Sequence, residues 1–190
     1  ALAAKGGGST VFLSIAAGIG LESLGETLGE KAPIIRAMPN TPAAIGRGIT
    51  ALIGNARVTP AVLAMAQTLV EAVGESILLH DEGQMDAVTA VSGSGPAYVF
   101  HLIEALAQAG TGQGLPPAMA LKLARATVAG AGALAGISGE DPARLRADVT
   151  SPGGTTAAAL DVLMDAQTGF PPLLRRAVAA AAQRSRELGA

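Results

Sequence analysis

An α/β half followed by an all-α half is the fold class that the sequence predicts, on three observations. Between Thr10 and His80, four short β-rich runs, Val11–Ala16, Ile34–Met38, Ile49–Ile53 and Ser76–Leu79, alternate with stretches patterned for helix. After His80 these runs stop, and the rest of the chain reads as helices punctuated by Gly and Pro. Alanine and glycine supply more than a third of the 190 residues, and only Phe12, Tyr98, Phe100 and Phe170 are aromatic, so helix backbones can approach one another closely.

The elements follow in order. Thr59 is placed to cap a helix that opens with Pro60 and stops before Gly74, with Val62, Leu63, Ala66, Leu69, Val70 and Val73 as its apolar positions. Pro96 opens a helix in which Val99, Leu102, Ile103, Leu106 and Ala109 repeat at helical spacing until Gly110. Pro116 or Pro117 opens the next, running to about Ala135. Asp141 caps a short one starting at Pro142, Gly153 to Thr156 precede another ending near Ala166, and Pro171-Pro172 lead into the last, which ends near Leu188. The boundary between the halves falls at about residues 81–86 without a flexible linker. Five or six helices with Ala/Gly stripes and few charges carry more apolar surface than one small bundle can bury, which predicts an intertwined homodimer.

Several function classes are excluded. A net charge of -2 and a pI near 5.7, with no basic run, argue against nucleic acid as a partner. No cysteine is present and only His80 and His101 are available, so neither a disulfide nor a thiolate or multi-histidine metal site is expected. The mean hydropathy of +0.43 is high. Even so, the long uncharged stretches Ala87–Ile103 and Ala105–Leu121 contain Pro96 or Pro116-Pro117 with several Gly and Ser, so no spanning helix and no membrane partner are expected. The segment Ala1–Thr10 has a Gly6-Gly7-Gly8 run and no Met, and reads neither as a signal peptide nor as a translation start. A chain truncated at its N-terminus, in the cytoplasm, is the expectation.

Four segments could carry chemistry. Ser14-Ile15-Ala16-Ala17-Gly18 follows a strand: it is either a small-residue turn or the strand end of an α/β sheet at which a nucleotide meets the backbone. Met38-Pro39-Asn40-Thr41-Pro42 is either a plain Asx or Pro turn or a stiff ligand-facing loop presenting the Asn40 amide and the Thr41 hydroxyl. Glu82 to Ala97, with Ser92-Gly93-Ser94-Gly95-Pro96, is either a helix break that lets helices pack closely or a wall of the site. Glu82 by itself reads as a solvated helix-start carboxylate. Thr150-Ser151-Pro152-Gly153-Gly154-Thr155-Thr156 is the most informative. Two glycines and two hydroxyls at a helix start expose free N–H groups, a receptor for a small anion that needs no Lys or Arg. With no Ser-His-Asp ordering, no cysteine and two histidines in unrelated contexts, covalent hydrolytic catalysis has little support. Cofactor-borne hydride transfer suits a site so poor in charge.

Together the four segments resemble pyrroline-5-carboxylate reductase. The likeness rests on Ser14 to Gly18, Met38 to Pro42, Asp86 to Tyr98 and Val149 to Thr156, in that order, and spans Val11 to Leu188. It implies NADPH- or NADH-dependent reduction of 1-pyrroline-5-carboxylate to L-proline, the last step of proline biosynthesis. It also implies the C-terminal part of a Rossmann-like dinucleotide-binding domain over 1–84, lacking the first strand and Gly-rich loop, and a helical dimerisation and substrate domain over 85–190. Family dimers often assemble into decamers. By this resemblance Ala16, Ala17, Pro39 and Asn40 border the cofactor, and Glu82 borders cofactor and substrate. Gly153, Gly154, Thr155 and Thr156 hold the substrate carboxylate, and the Thr156 hydroxyl is the proton donor or relay. Asp148 departs from the family, which often carries an amide there. A noncatalytic oligomerisation fragment and a reductase of another cyclic imine acid are the alternative readings.

Overall fold

The computed structural model describes residues 10–189; residues 1–9, which hold the Gly6-Gly7-Gly8 run, lie outside the described residues. Within the described residues, 10–96 with 177–189 form one compact unit and 97–176 form the other.

The first unit is built on a four-stranded sheet in the order β1-β2-β3-β4, with β1 Phe12–Ser14, β2 Ile34–Met38, β3 Gly48–Gly54 and β4 Gly74–Leu78. Connection length decides strand direction. β1 and β2 are parallel because helix α1 (Leu21–Leu28) carries the chain back between them, and β3 and β4 are parallel through α2 (Pro60–Glu71). Between β2 and β3 there is room only for a single 3-10 turn, Thr41–Ile45, so that pair is antiparallel and the sheet is mixed. As predicted from sequence, Thr59 caps α2, its hydroxyl accepting from Val62 N–H at 3.3 Å, and Pro60 takes the first helical position.

β2 is central and covered on both faces. Ile35 and Ala37 pack with Leu52 and Ala66 under α2, while Ile34 packs with Leu28 and Ala32 on the α1 side. Each fully buried Ile or Leu here contributes about 2 kcal/mol relative to exposure. Beside them, Ala51 and Ile53 of β3 bury Met85 of α3 (Met85–Val88). The end of α8 (Phe170–Leu188) belongs to this unit, its buried Ser185 hydroxyl donating to Asp86 Oδ1 at 2.6 Å.

Boundaries differ from the sequence expectation where a turn intervenes. β1 stops at Ser14, two residues early, because the Ser14 hydroxyl accepts from Ala16 N–H and Gly18 adopts φ 78. The helix break read at Ser92–Pro96 takes the form of a bend, a π turn over Thr89–Gly93 that joins α3 to α4 (Gly95–Gly112).

The second unit holds most of α4, then α5 (Pro117–Ser138), α6 (Pro142–Asp148), α7 (Thr155–Leu163) and the start of α8. Asp141 caps α6, accepting from Ala143 N–H at 2.7 Å. α7 ends before Ala166 because Asp165 folds the chain back, its carboxylate accepting from the N–H groups of Gln167 and Thr168 and from the Thr168 hydroxyl. Those bonds, the Thr168 N–H foremost, hold the Asp165 carboxyl below its ordinary value. α8 then begins at Phe170, so Pro171 and Pro172 sit in its first turn, where a missing N–H breaks no helical bond.

Close packing by small residues is visible between α4 and α5, where a Cβ on Gly110 would meet Ala120 Cβ at 3.3 Å. The buried apolar residues of this unit are only Ala107, Ala120 and Ala124, and large side chains such as Met119, Leu123, Leu134 and Ile137 of α5 stand in solvent. Contrary to the sequence expectation, α5 is long and apolar enough, by length and composition, to cross a membrane. It also carries Lys122 and Arg125 in its N-terminal half, each costing about 2.5–3.5 kcal/mol at a bilayer centre.

Candidate functional site

In the first unit, β1 and β2 are parallel neighbours, so their carboxyl ends lie at one edge of the sheet and the segments that follow them emerge side by side. After β1 come half-buried Ala16, exposed Ala17 and buried Gly18; after β2 come Pro39 and Asn40, both half-buried. The methyl-sized side chains of Ala16 and Ala17 leave room for a dinucleotide to approach the backbone, and Pro39 keeps its loop stiff, whereas left-handed Gly18 is packed against Leu188 at the end of α8.

The Asn40 side chain is not a free ligand. Its Oδ1 accepts from Ile49 N–H at 3.0 Å, and its Nδ2 donates to Ser92 O at 3.2 Å. The second and third of the four sequence segments are thereby joined, since Gly93 also lies against Met38, where a Cβ would meet Met38 Cε at 2.6 Å.

Glu82 is likewise engaged rather than solvated. Its Oε1 accepts from Arg36 Nη1 at 2.9 Å and from Leu21 N–H at 2.8 Å, which caps α1 from a residue 61 positions away. Arg36 is 6% exposed. Sequence reasoning missed Arg36, although a lone arginine in the apolar strand Ile-Ile-Arg-Ala-Met was the signal that could have found it. The Ser185–Asp86 bond left no such signal.

In the second unit, the Thr150–Thr156 segment forms a turn into α7. Gly153 has φ 68, Gly154 N–H donates to Ser151 O at 3.0 Å, and Gly154 is the N-cap, with no side-chain cap. The first N–H groups of the helix, those of Thr155, Thr156 and Ala157, have no intrahelical acceptor. Thr156 is half-buried and Thr155 exposed. Oriented amides at the positive end of a helix dipole can hold a carboxylate. His101 makes an exposed contact with Glu104 at 3.1 Å within its own helix, and Asp148 pairs with Arg144 at 3.0 Å.

The fold and these sites define a class: the later part of a Rossmann-like dinucleotide-binding domain followed by a helical dimerisation domain. The family model for pyrroline-5-carboxylate reductase dimerisation matches residues 82–188. The chain is 48% identical over 190 residues to the pyrroline-5-carboxylate reductase of Synechocystis, aligning 99% of itself with 70% of that protein. With the Pseudomonas aeruginosa enzyme of that name it is 47% identical over 178 residues, aligning 94% of itself with 64% of the relative. Among solved structures, the Coxiella burnetii pyrroline-5-carboxylate reductase superposes with a TM-score of 0.92 at 35% identity, covering 100% of this chain and 71% of that one. The Plasmodium falciparum pyrroline carboxylate reductase with NADP bound gives 0.85 at 31% identity, covering 96% and 72%. The chain belongs to the pyrroline-5-carboxylate reductase family. It spans about two thirds of the length of these relatives.

Proposed function

We propose that the chain is part of a reductase that adds hydride to the C=N carbon of 1-pyrroline-5-carboxylate and a proton to its nitrogen, giving L-proline. NADPH or NADH, when bound, supplies the hydride. Ala16, Ala17, Pro39 and the loop held by Asn40 shape the groove for it, and the NADP in the Plasmodium structure supports this assignment. The N–H groups around Thr155 and Thr156, on the Gly153-Gly154 turn, bind the substrate carboxylate, and the Thr156 hydroxyl passes the proton to the imine nitrogen. In this reading Glu82 acts through Arg36 and Leu21 to set the shape of the site. The observation that carries the proposal is the side-chain-free N-cap of α7, within a segment that also bears the family resemblance.

The domain reading is that 1–84 serve the cofactor and 85–190 serve dimerisation and substrate; a family model that begins at residue 82 supports it. The partner is a second copy, with further assembly to a decamer, and the setting is cytoplasmic with neither nucleic acid nor membrane involved. The apolar groove of about 450 Å³ between α4 and α5, lined by Leu106, Leu115 and Leu123 among others, supports self-association.

Thr156→Ala in the full-length enzyme is expected to lower turnover about 100-fold, the low end of proton-transfer catalysis. Stability should move by less than about 0.5 kcal/mol, because the side chain caps nothing. Unchanged steady-state kinetics would remove Thr156 from the mechanism. Sedimentation of the chain should give a dimer or larger species that Leu123→Asp shifts toward monomer; a concentration-independent wild-type monomer sinks the assembly reading.

A further inference from the structure

The Ser92 carbonyl sits where the helical pattern cannot serve it. Its α-helical donor would be the N–H of residue 96, which is Pro96 and has none. The bend at Thr89–Gly93 leaves that carbonyl open to a donor from outside the helix, and Asn40 Nδ2 supplies it at 3.2 Å. The other end of the same amide accepts from Ile49 N–H at the start of β3. The bond to Ser92 spans 52 positions and that from Ile49 spans 9, and both are at least partly shielded from water. The 89–94 bend is itself closed by Ser94 N–H on Thr89 O at 2.8 Å, and Gly93 leaves just enough room for Met38.

We infer that Asn40 is a positioning residue, an amide clamp that locks the loop after β2 to the bend over Thr89–Gly93 and thereby fixes the cofactor-side loop for hydride transfer. An aspartate at this position would keep an acceptor for Ile49 N–H but would set oxygen against oxygen at Ser92, so the clamp would open on one side only. The kinetic part of the inference rests on the reductase reading; the structural part does not.

The test takes Asn40→Asp in the full-length enzyme and measures two things, amide exchange at Ser94 and Ile49 and kcat per titrated active site. The expected result is loss of protection at Ser94 with Ile49 still protected, and a fall in kcat of tenfold or more, up to about 100-fold for a misplacement near 1 Å, with the substrate KM little changed. A residue that only stabilised the fold would lower the active fraction and leave kcat per site alone. Unchanged protection at Ser94 would overturn the clamp, and lost protection with unchanged kcat per site would overturn its role in positioning. If the wild-type enzyme does not turn over pyrroline-5-carboxylate, the reductase reading fails, and exchange at Ser94 still decides the clamp. Should Asn40→Asp not fold, Asn40→Ala is read by the same two measurements, with Ser94 and Ile49 both expected to lose protection.

Discussion

Glu82→Ala is expected to destabilise the protein by about 2–4 kcal/mol, because it strips a buried arginine of its counter-charge and a helix of its cap in one step. The Arg36 side chain is 7% exposed and that of Glu82 is 32% exposed, so the loss falls below that of a fully buried pair, whose surviving ion would be wholly cut off from water. The same Oε1 receives Leu21 N–H, and the N-cap position, Gly20, has no side chain to replace it. Glu82→Gln separates the two contributions. It keeps an acceptor for Leu21 and loses the charge, and should fall between wild type and alanine. Replacing both partners, in Arg36→Met with Glu82→Ala, should cost less than the sum of the two single changes, since no unpaired charge is left behind. Urea unfolding of the four variants checks this, and a change under about 0.5 kcal/mol in Glu82→Ala would rule it out.

Gly74→Ala is expected to be more damaging still, by more than about 4 kcal/mol or to the point of not folding. Gly74 opens β4 at φ 150, and a Cβ there would lie 2.1 Å from Gly48 O and 2.5 Å from Gly48 N, on the strand it pairs with. Those atoms are backbone and cannot rotate away, so β3 and β4 would have to separate where their pairing begins. Gly25→Ala is the control. It lies within α1, a Cβ there meets nothing within 4 Å, and the change should stabilise by about 0.5–1 kcal/mol. Thermal melts of the two variants side by side would show the contrast; equal melting temperatures would refute the steric account.

These two sites also show where sequence reading stops. The α2 helix was legible because every signal for it is local: the Thr59 cap, Pro60 at the first position and apolar spacing through Val70. The same holds for Asp141 at α6 and for the Gly153-Gly154-Thr155-Thr156 turn, whose uncapped amides follow from glycine and helix geometry alone. Glu82 was legible as a residue of interest but not in its surroundings. Its partners lie in β2 and at the start of α1, and nothing within a few residues of Glu82 encodes either. Asn40 read as a presented amide for the same reason, since Ile49 and Ser92 reach it only after the sheet and the bend have formed. The strand directions were open as well, and the chain length between β2 and β3 settles that pair as antiparallel.

By itself, the sequence determined the division into an α/β part and a helical part, the caps of α2 and α6, the four segments that carry the family resemblance and the anion-receptive turn at α7. Each of these depends on backbone preferences and side-chain patterns acting over a single turn or strand. The tertiary structure alone decided that Arg36 and Glu82 neutralise each other, that Asn40 spends its amide on the protein's own backbone, and that Gly74 admits no side chain. These depend on which distant segments meet, because burial and hydrogen bonding are properties of a place in the fold, and a residue acquires its place only when its neighbours have acquired theirs.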